Sequence, residues 1–178
     1  MSDLVPAGSW SIDASHSSLG FKIRYLGILD VHGSFTDFEG SVDAADPAAP
    51  KASLVAKVAS LHTGNAQRDG HLQGDDFFDA ANHPEVRFTS TSVTPDGDGF
   101  KVVGDLEMHG VTQPVELHAT ATGTGTDPWG QSRAAVHATG AIADRKAFGL
   151  TWNAPVESGF LVQDSVALDL TLALVKQG

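Results

Sequence analysis

Hydrophobic and polar side chains alternate with a period of two along most of this chain. In LGFKIRY, Leu19, Phe21, Ile23 and Tyr25 fall on one face, with Lys22 and Arg24 on the other. SLVAKV repeats the pattern with Leu54, Ala56 and Val58, and VALDLTLAL aligns Val166, Leu168, Leu170, Leu172 and Leu174. WSID pairs Trp10 with Ile12. VHGSF carries Val31 and Phe35, after which the phase shifts to Phe38 and Val42. VRFTSTSV, FKVVGDLEM and VELHATATGTG behave alike. A period of two marks a strand with one buried face, because successive Cβ atoms point to opposite sides of the pleat. The turn signals DPAAP, PDGDG and TDPWG separate the runs. Roughly eight or nine strands follow from these patterns.

One stretch departs from alternation. Helical spacing is confined to the region from Asn65 to Ala81. Asn65 is a suitable N-cap, and Arg68, His71, Leu72 and Asp75 share one helical face at i, i+3, i+4 and i+7. Gly70 and Gly74 keep the helix short. Asp75 is placed to cap a second turn that points Phe77 and Phe78 at the core, and Pro84 ends the segment. The chain thus reads as an all-β protein, an antiparallel up-and-down β-barrel of about eight strands with one short helical crossover, residues 1–178 forming a single domain. The long runs Val102–Met108, Val115–Thr126 and Ala134–Ile142 favour a barrel over a sandwich. Small inward candidates (Ala52, Ala56, Gly104, Ala119, Ala121, Ala138) favour an internal cavity; the competing reading is a tapered, filled core.

Composition narrows the partners. The formal net charge is −11, which repels phosphate backbones and anionic membrane surfaces, so no nucleic acid and no stable membrane insertion are expected. No stretch approaches the roughly 20 apolar residues of a membrane span. There are no cysteines, which removes disulfides and thiolate chemistry. MSDLVPAGSW has neither a basic n-region nor an apolar h-region, so a cytoplasmic location is expected.

The densest reactive run is RDGHLQGDDFFDAANHP, Arg68 to Pro84. No Gly-x-Ser-x-Gly elbow accompanies it, and caps and ion pairs explain its charges, so no catalytic residues are assigned. The alternative is an enzyme or metal-dependent protein acting on a small hydrophobic substrate through the Arg68–Asp76 cluster. The eight histidines sit singly, without H-x-H or H-x-x-x-H pairs, and no metal site is assigned. The apolar faces are the stronger functional signal. Phe21, Ile23, Phe35, Leu54, Val58, Phe88, Leu106, Leu117 and Trp152 are the expected lining of a ligand channel, and Arg68, His71 and Arg145 the expected contacts of a polar headgroup. The segment Arg145 to Asp164 lacks clean alternation and reads as a second flap at the mouth.

Five segments carry a resemblance in order along the chain. WSIDASHSSLGFKI (Trp10 to Ile23), HGSFTDFEGSV (His32 to Val42), RDGHLQGDDFFDAANHPEVRFTS (Arg68 to Ser90), GDLEMHGVTQPVEL (Gly104 to Leu117) and RKAFGL (Arg145 to Leu150) resemble the YceI-like proteins. The resemblance implies a lipocalin-like barrel and non-catalytic binding or carriage of a long-chain amphiphile: a polyisoprenoid, a polyprenyl quinone or a similar lipid. It implies a hydrophobic small-molecule ligand as partner and allows a homodimer. No cofactor is implied beyond such a bound isoprenoid or quinone lipid. The chain departs from the family pattern at Ala147, where an acidic residue is common, and at Tyr25, where a histidine is common; many members carry a secretory signal, and MSDLVPAGSW is not expected to act as one.

Overall fold

The computed structural model describes residues 4–178. The first strands run β1 (Gly8–Ile12), β2 (Ser18–Tyr25), β3 (Leu29–Phe35), β4 (Phe38–Ala44), β5 (Lys51–Lys57) and the two-residue β6 (Leu61–His62). Helix α1 (Ala66–Gln73) follows, then the long strands β7 (Glu85–Asp96), β8 (Gly99–Met108), β9 (Val111–Thr126) and β10 (Ser132–Ile142). A small hairpin, β11 (Pro155–Val156) and β12 (Gly159–Phe160), precedes β13 (Val162–Lys176). Eight strands close a ring in the order β1-β4-β5-β7-β8-β9-β10-β13, sealed by antiparallel pairing of β1 with β13. Every neighbouring pair is antiparallel.

Strands β2, β3 and β6 continue the wall beyond the ring: β2 pairs with β13, β3 with β2, and β6 with β3. They are the upper halves of interrupted strands. The break between β1 and β2 is a 3₁₀ turn at Ala14–His16, and the break between β3 and β4 spans Thr36 and Asp37, where the hydrophobic phase shifts. Strand β5 ends at a third break, a second 3₁₀ turn at Val58–Ser60. A strand that stops and restarts can follow a strongly curved wall that a continuous pleat cannot.

All the large excursions leave from one end. The β2–β3 turn, α1 with the chain to Pro84, the β8–β9 turn and the β10–β13 connection lie at the upper rim. At the lower end, Leu4 and Val5 turn back beneath the barrel, buried at 9% and 2% exposure, and join the core with Trp10 and Leu174. The Trp10 indole Nε1 donates to the Pro6 carbonyl at 2.9 Å, which fixes this floor.

An ion network holds the lower rim. Arg133 Nη1 meets Asp13 Oδ2 at 2.5 Å, and its Nε meets Asp127 Oδ2 at 2.9 Å. Asp13 also accepts from the Ser15 hydroxyl and amide and from His16 Nδ1. The Ser15 hydroxyl, then His16 and Arg133, hold the Asp13 carboxyl far below the ordinary carboxylate range, against the opposing effect of burial. A carboxyl with a depressed folded-state pKa stabilises the fold fully above its unfolded value, about 4, and loses that contribution as pH falls below it. Asp13→Asn should therefore cost about 1–2 kcal/mol at neutral pH and flatten the loss of stability below pH 4, as read from urea melts at a series of pH values. A wild-type and a variant curve that stay parallel through that window would refute the assignment.

Candidate functional site

The inward faces of the strands surround a cavity of about 410 Å³, within the range of small-molecule sites. It extends from Leu4 and Val5 at the floor to Trp152, Leu161 and helix α1 at the rim. Its walls are almost wholly apolar. On β13, Val166, Leu168, Leu170 and Leu172 point inward yet stay half-exposed, because the surface they present faces this space.

Glycines keep the space open. A Cβ at Gly33 would fall 2.2 Å from Phe21 Cζ, and one at Gly104 would fall 2.4 Å from Phe88 Cζ. Each phenyl ring thus lies over a glycine of the neighbouring strand, against the wall, an arrangement that also protects the glycine backbone.

Of the residues expected to line a channel, Phe21, Ile23, Phe35, Leu54, Phe88, Leu106, Leu117 and Trp152 border the cavity. Val58 does not, and that expectation is corrected. It stands in the 3₁₀ turn that ends β5, is 1% exposed within the packed core, and its N–H donates to the Pro84 carbonyl at 2.9 Å. The turn breaks the period of two, so the face shared by Leu54 and Ala56 does not carry on to it. Ala121 is likewise on the outside, exposed where β9 extends past the ring, and Gly104 lies beneath Phe88.

The rim is built by two segments. Asn65 caps α1, its Oδ1 accepting from Arg68 N at 2.9 Å. Arg68 folds back on the chain, donating from Nε to Thr63 Oγ1 at 2.7 Å and from Nη2 to Thr63 O at 2.8 Å. His71 Nε2 meets Asp76 Oδ2 at 2.8 Å, and the two side chains are 44% and 49% exposed. Asp75 does not cap a second turn. It is exposed, and the amides of Phe77 and Phe78 donate to the carbonyls of Gly74 and Leu72 instead. Phe77 and Phe78 do point inward and border the cavity.

The second segment crosses from β10 to β13. It opens with a 3₁₀ turn at Arg145–Phe148, capped by Asp144, and continues through the β11–β12 hairpin. It touches α1 through an aromatic cluster: the His71 ring meets Phe77 and Trp152 edge-on at 5.1 and 4.9 Å, and Phe77 lies 5.3 Å from Trp152. His71 therefore couples the two rim segments besides bordering the cavity.

Arg145 is the most unusual polar group here. Its side chain is 3% exposed. Nε donates to Gln163 O at 3.1 Å and Nη1 to Leu150 O at 2.6 Å, but Nη2 is buried with no hydrogen-bond partner among the described residues. Asp164 Oδ1 is 3.9 Å away, and the other oxygen of that carboxylate is held by Lys146 Nζ at 2.8 Å. Burial pushes the guanidinium below its ordinary value, while Asp164 and then Asp144 oppose the shift. Arg68, His71 and Arg145 all border the upper part of the cavity.

An antiparallel barrel closed at its floor, with an almost wholly apolar cavity and charged side chains gathered along its upper part, defines a cavity-bearing β-barrel of the lipocalin type. The chain belongs to the YceI-like family: the model of the YceI-like domain matches residues 10–174. Among curated relatives, a UPF0312 protein of Photorhabdus laumondii is 44% identical over 140 residues, 76% of this chain and 73% of its own length. Among solved structures, a YceI protein of Campylobacter jejuni superposes with a TM-score of 0.74 at 29% identity over 100% of both chains. A polyisoprenoid binding domain from Saccharophagus degradans superposes at 0.66 with 21% identity, covering 94% of this chain and 98% of its own, a likeness of fold. No helix among the described residues is long and apolar enough to cross a membrane.

Proposed function

We propose that this protein binds or carries a long-chain amphiphile without transforming it. The tail, a polyisoprenoid, a polyprenyl quinone or a chain of similar character, occupies the barrel cavity. The head sits at the rim among Arg68, His71 and Arg145. The observation that carries this reading is a buried guanidinium nitrogen that has no hydrogen-bond partner among the described residues, its facing carboxylate oxygen 3.9 Å away, at the top of a largely apolar cavity. A buried donor left unpaired costs about 1–3 kcal/mol, and an oxygen-bearing headgroup removes that cost. Each tail CH₂ moved from water into the cavity contributes about 0.8 kcal/mol, so the tail supplies affinity and the head supplies orientation. The name of the Saccharophagus domain points to the same ligand class.

The test is solvent extraction of protein freshly purified from its native host, followed by mass spectrometry. A stoichiometric long-chain amphiphile supports the reading; an empty extract, together with no uptake of an apolar fluorescent dye, refutes it. Arg145→Met supplies the finer test. It should weaken an amphiphile with an oxygen-bearing head by about 10- to 100-fold, the worth of one charge-assisted hydrogen bond, and leave a headless apolar dye nearly unaffected. Equal losses for both probes would remove Arg145 from the headgroup site.

A further inference from the structure

A second cluster lies at the same rim, outside the cavity lining. From its geometry we infer that Asp79, His83 and His109 form a binding site for a divalent transition-metal ion of the zinc class. One ligand atom from each lies within 4.8 Å of the others. Ligands on a single zinc, at about 2.0–2.1 Å from the ion, stand about 3.4 Å apart, so small rotamer changes close the site. Two imidazoles and a carboxylate are a donor set suited to zinc and its neighbours, and three protein ligands leave a position for water or a small anion.

The chain builds this site from separate segments. After α1, the amides of Asn82 and His83 both return to the Asp79 carbonyl, at 3.1 and 2.8 Å. That turn, entered from left-handed backbone at Asp79 (φ 48°), folds the chain back so that His83 lies close to Asp79. His109 comes from the β8–β9 turn, and the two imidazole centroids are 5.2 Å apart. Both approaches need glycine. A Cβ at Gly110 would fall 2.7 Å from His83 Cε1, and one at Gly149 would fall 2.8 Å from His109 Nδ1.

The supporting hydrogen bonds are those a metal ligand requires. His109 Nδ1 lies 3.0 Å from the Phe148 carbonyl. A carbonyl only accepts, so Nδ1 carries the hydrogen and Nε2 keeps its lone pair, as an outer-sphere partner arranges for a ligating histidine. Asn82 Nδ2 donates to one Asp79 oxygen at 2.8 Å and orients that carboxylate. Among the described residues, no ion pair engages Asp79, His83 or His109, unlike His71 or His137. A bound ion would pin the crossover after α1 to the β8–β9 turn and, through the Phe148 carbonyl, to the segment that carries Arg145.

The site is independent of the proposed lipid binding and is tested on the full chain. Protein stripped with a chelator is titrated with Zn²⁺ by calorimetry and, in parallel, with Co²⁺ by visible absorption. One ion per chain is expected, with a Co²⁺ spectrum of four- or five-coordinate intensity and a zinc-induced rise in melting temperature. His83→Gln and Asp79→Asn, the latter keeping a residue that tolerates the left-handed backbone at 79 (φ 48°), should each weaken binding at least 100-fold. His137→Gln, on the outer face beside Asp169, should leave it unchanged. Zinc bound equally by wild type and by the His83→Gln/Asp79→Asn double variant, zinc lost with His137→Gln, or no zinc bound at all would overturn the assignment.

Discussion

Leu170→Trp should lower the affinity for an apolar ligand by roughly 100-fold while leaving the barrel folded. Leu170 points into the middle of the cavity, half-exposed to it, and its cross-strand neighbour on β10 is the small Ala138. On β2 its cross-strand neighbour is the buried Leu19, so an indole at this position finds its room on the cavity side. Excluding about four CH₂ groups of a tail removes about 3 kcal/mol of transfer free energy, which is the stated loss of affinity. Thr171→Trp on the same strand is the matched control, because Thr171 is exposed on the outer face. Equilibrium titration with a fluorescent apolar dye reads both variants, and thermal melts check the fold. If Leu170→Trp binds as well as Thr171→Trp, the ligand does not lie along the barrel axis.

Phe148→Ala should produce the largest loss of stability, about 3–5 kcal/mol. The ring is 2% exposed, among the largest fully buried side chains. It anchors the turn after β10, which packs on β9 and β13, so its removal leaves a cavity within the packed core. For a chain of this size the change corresponds to a fall of about 10 °C in melting temperature. Because Arg145 sits in the same turn and His109 bonds to the Phe148 carbonyl, ligand affinity should fall as well. A loss below about 1 kcal/mol would mean that the turn collapses onto the space, and that its position is set by Arg145 and the capping Asp144 instead.

The strands, the short helix with its Asn65 cap and the apolar lining were legible because each is a local property. A period of two places Phe21, Ile23 and Leu54 on one face whatever the rest of the chain does. Val58 and Ala121 fail for a physical reason: alternation says which face a residue takes, but not where a strand breaks or outruns the barrel. The importance of Arg145 could be read from its charge in an acidic chain, whereas its burial and its unpartnered nitrogen depend on Leu150, Gln163 and Asp164, which only the folded crossover brings together. The approach of His83 to His109 and the edge-on contact of His71 with Trp152 were beyond reach for the same reason, since each joins separate segments. The floor formed by Leu4 and Val5 left no periodic trace at all.

That floor gives the barrel a direction. A tube open at both ends lets a chain thread through; one stoppered at the bottom makes entry and exit the same event run backwards. On the proposed reading, the tail goes in first and the head stays at the doorway throughout. A donor or an acceptor of the lipid therefore meets the head and the rim before any of the tail, and handover proceeds by withdrawal past α1 and Trp152. The speed of exchange is then governed by how readily the contact between His71 and Trp152 opens, while the depth of the barrel governs how tightly the cargo is held.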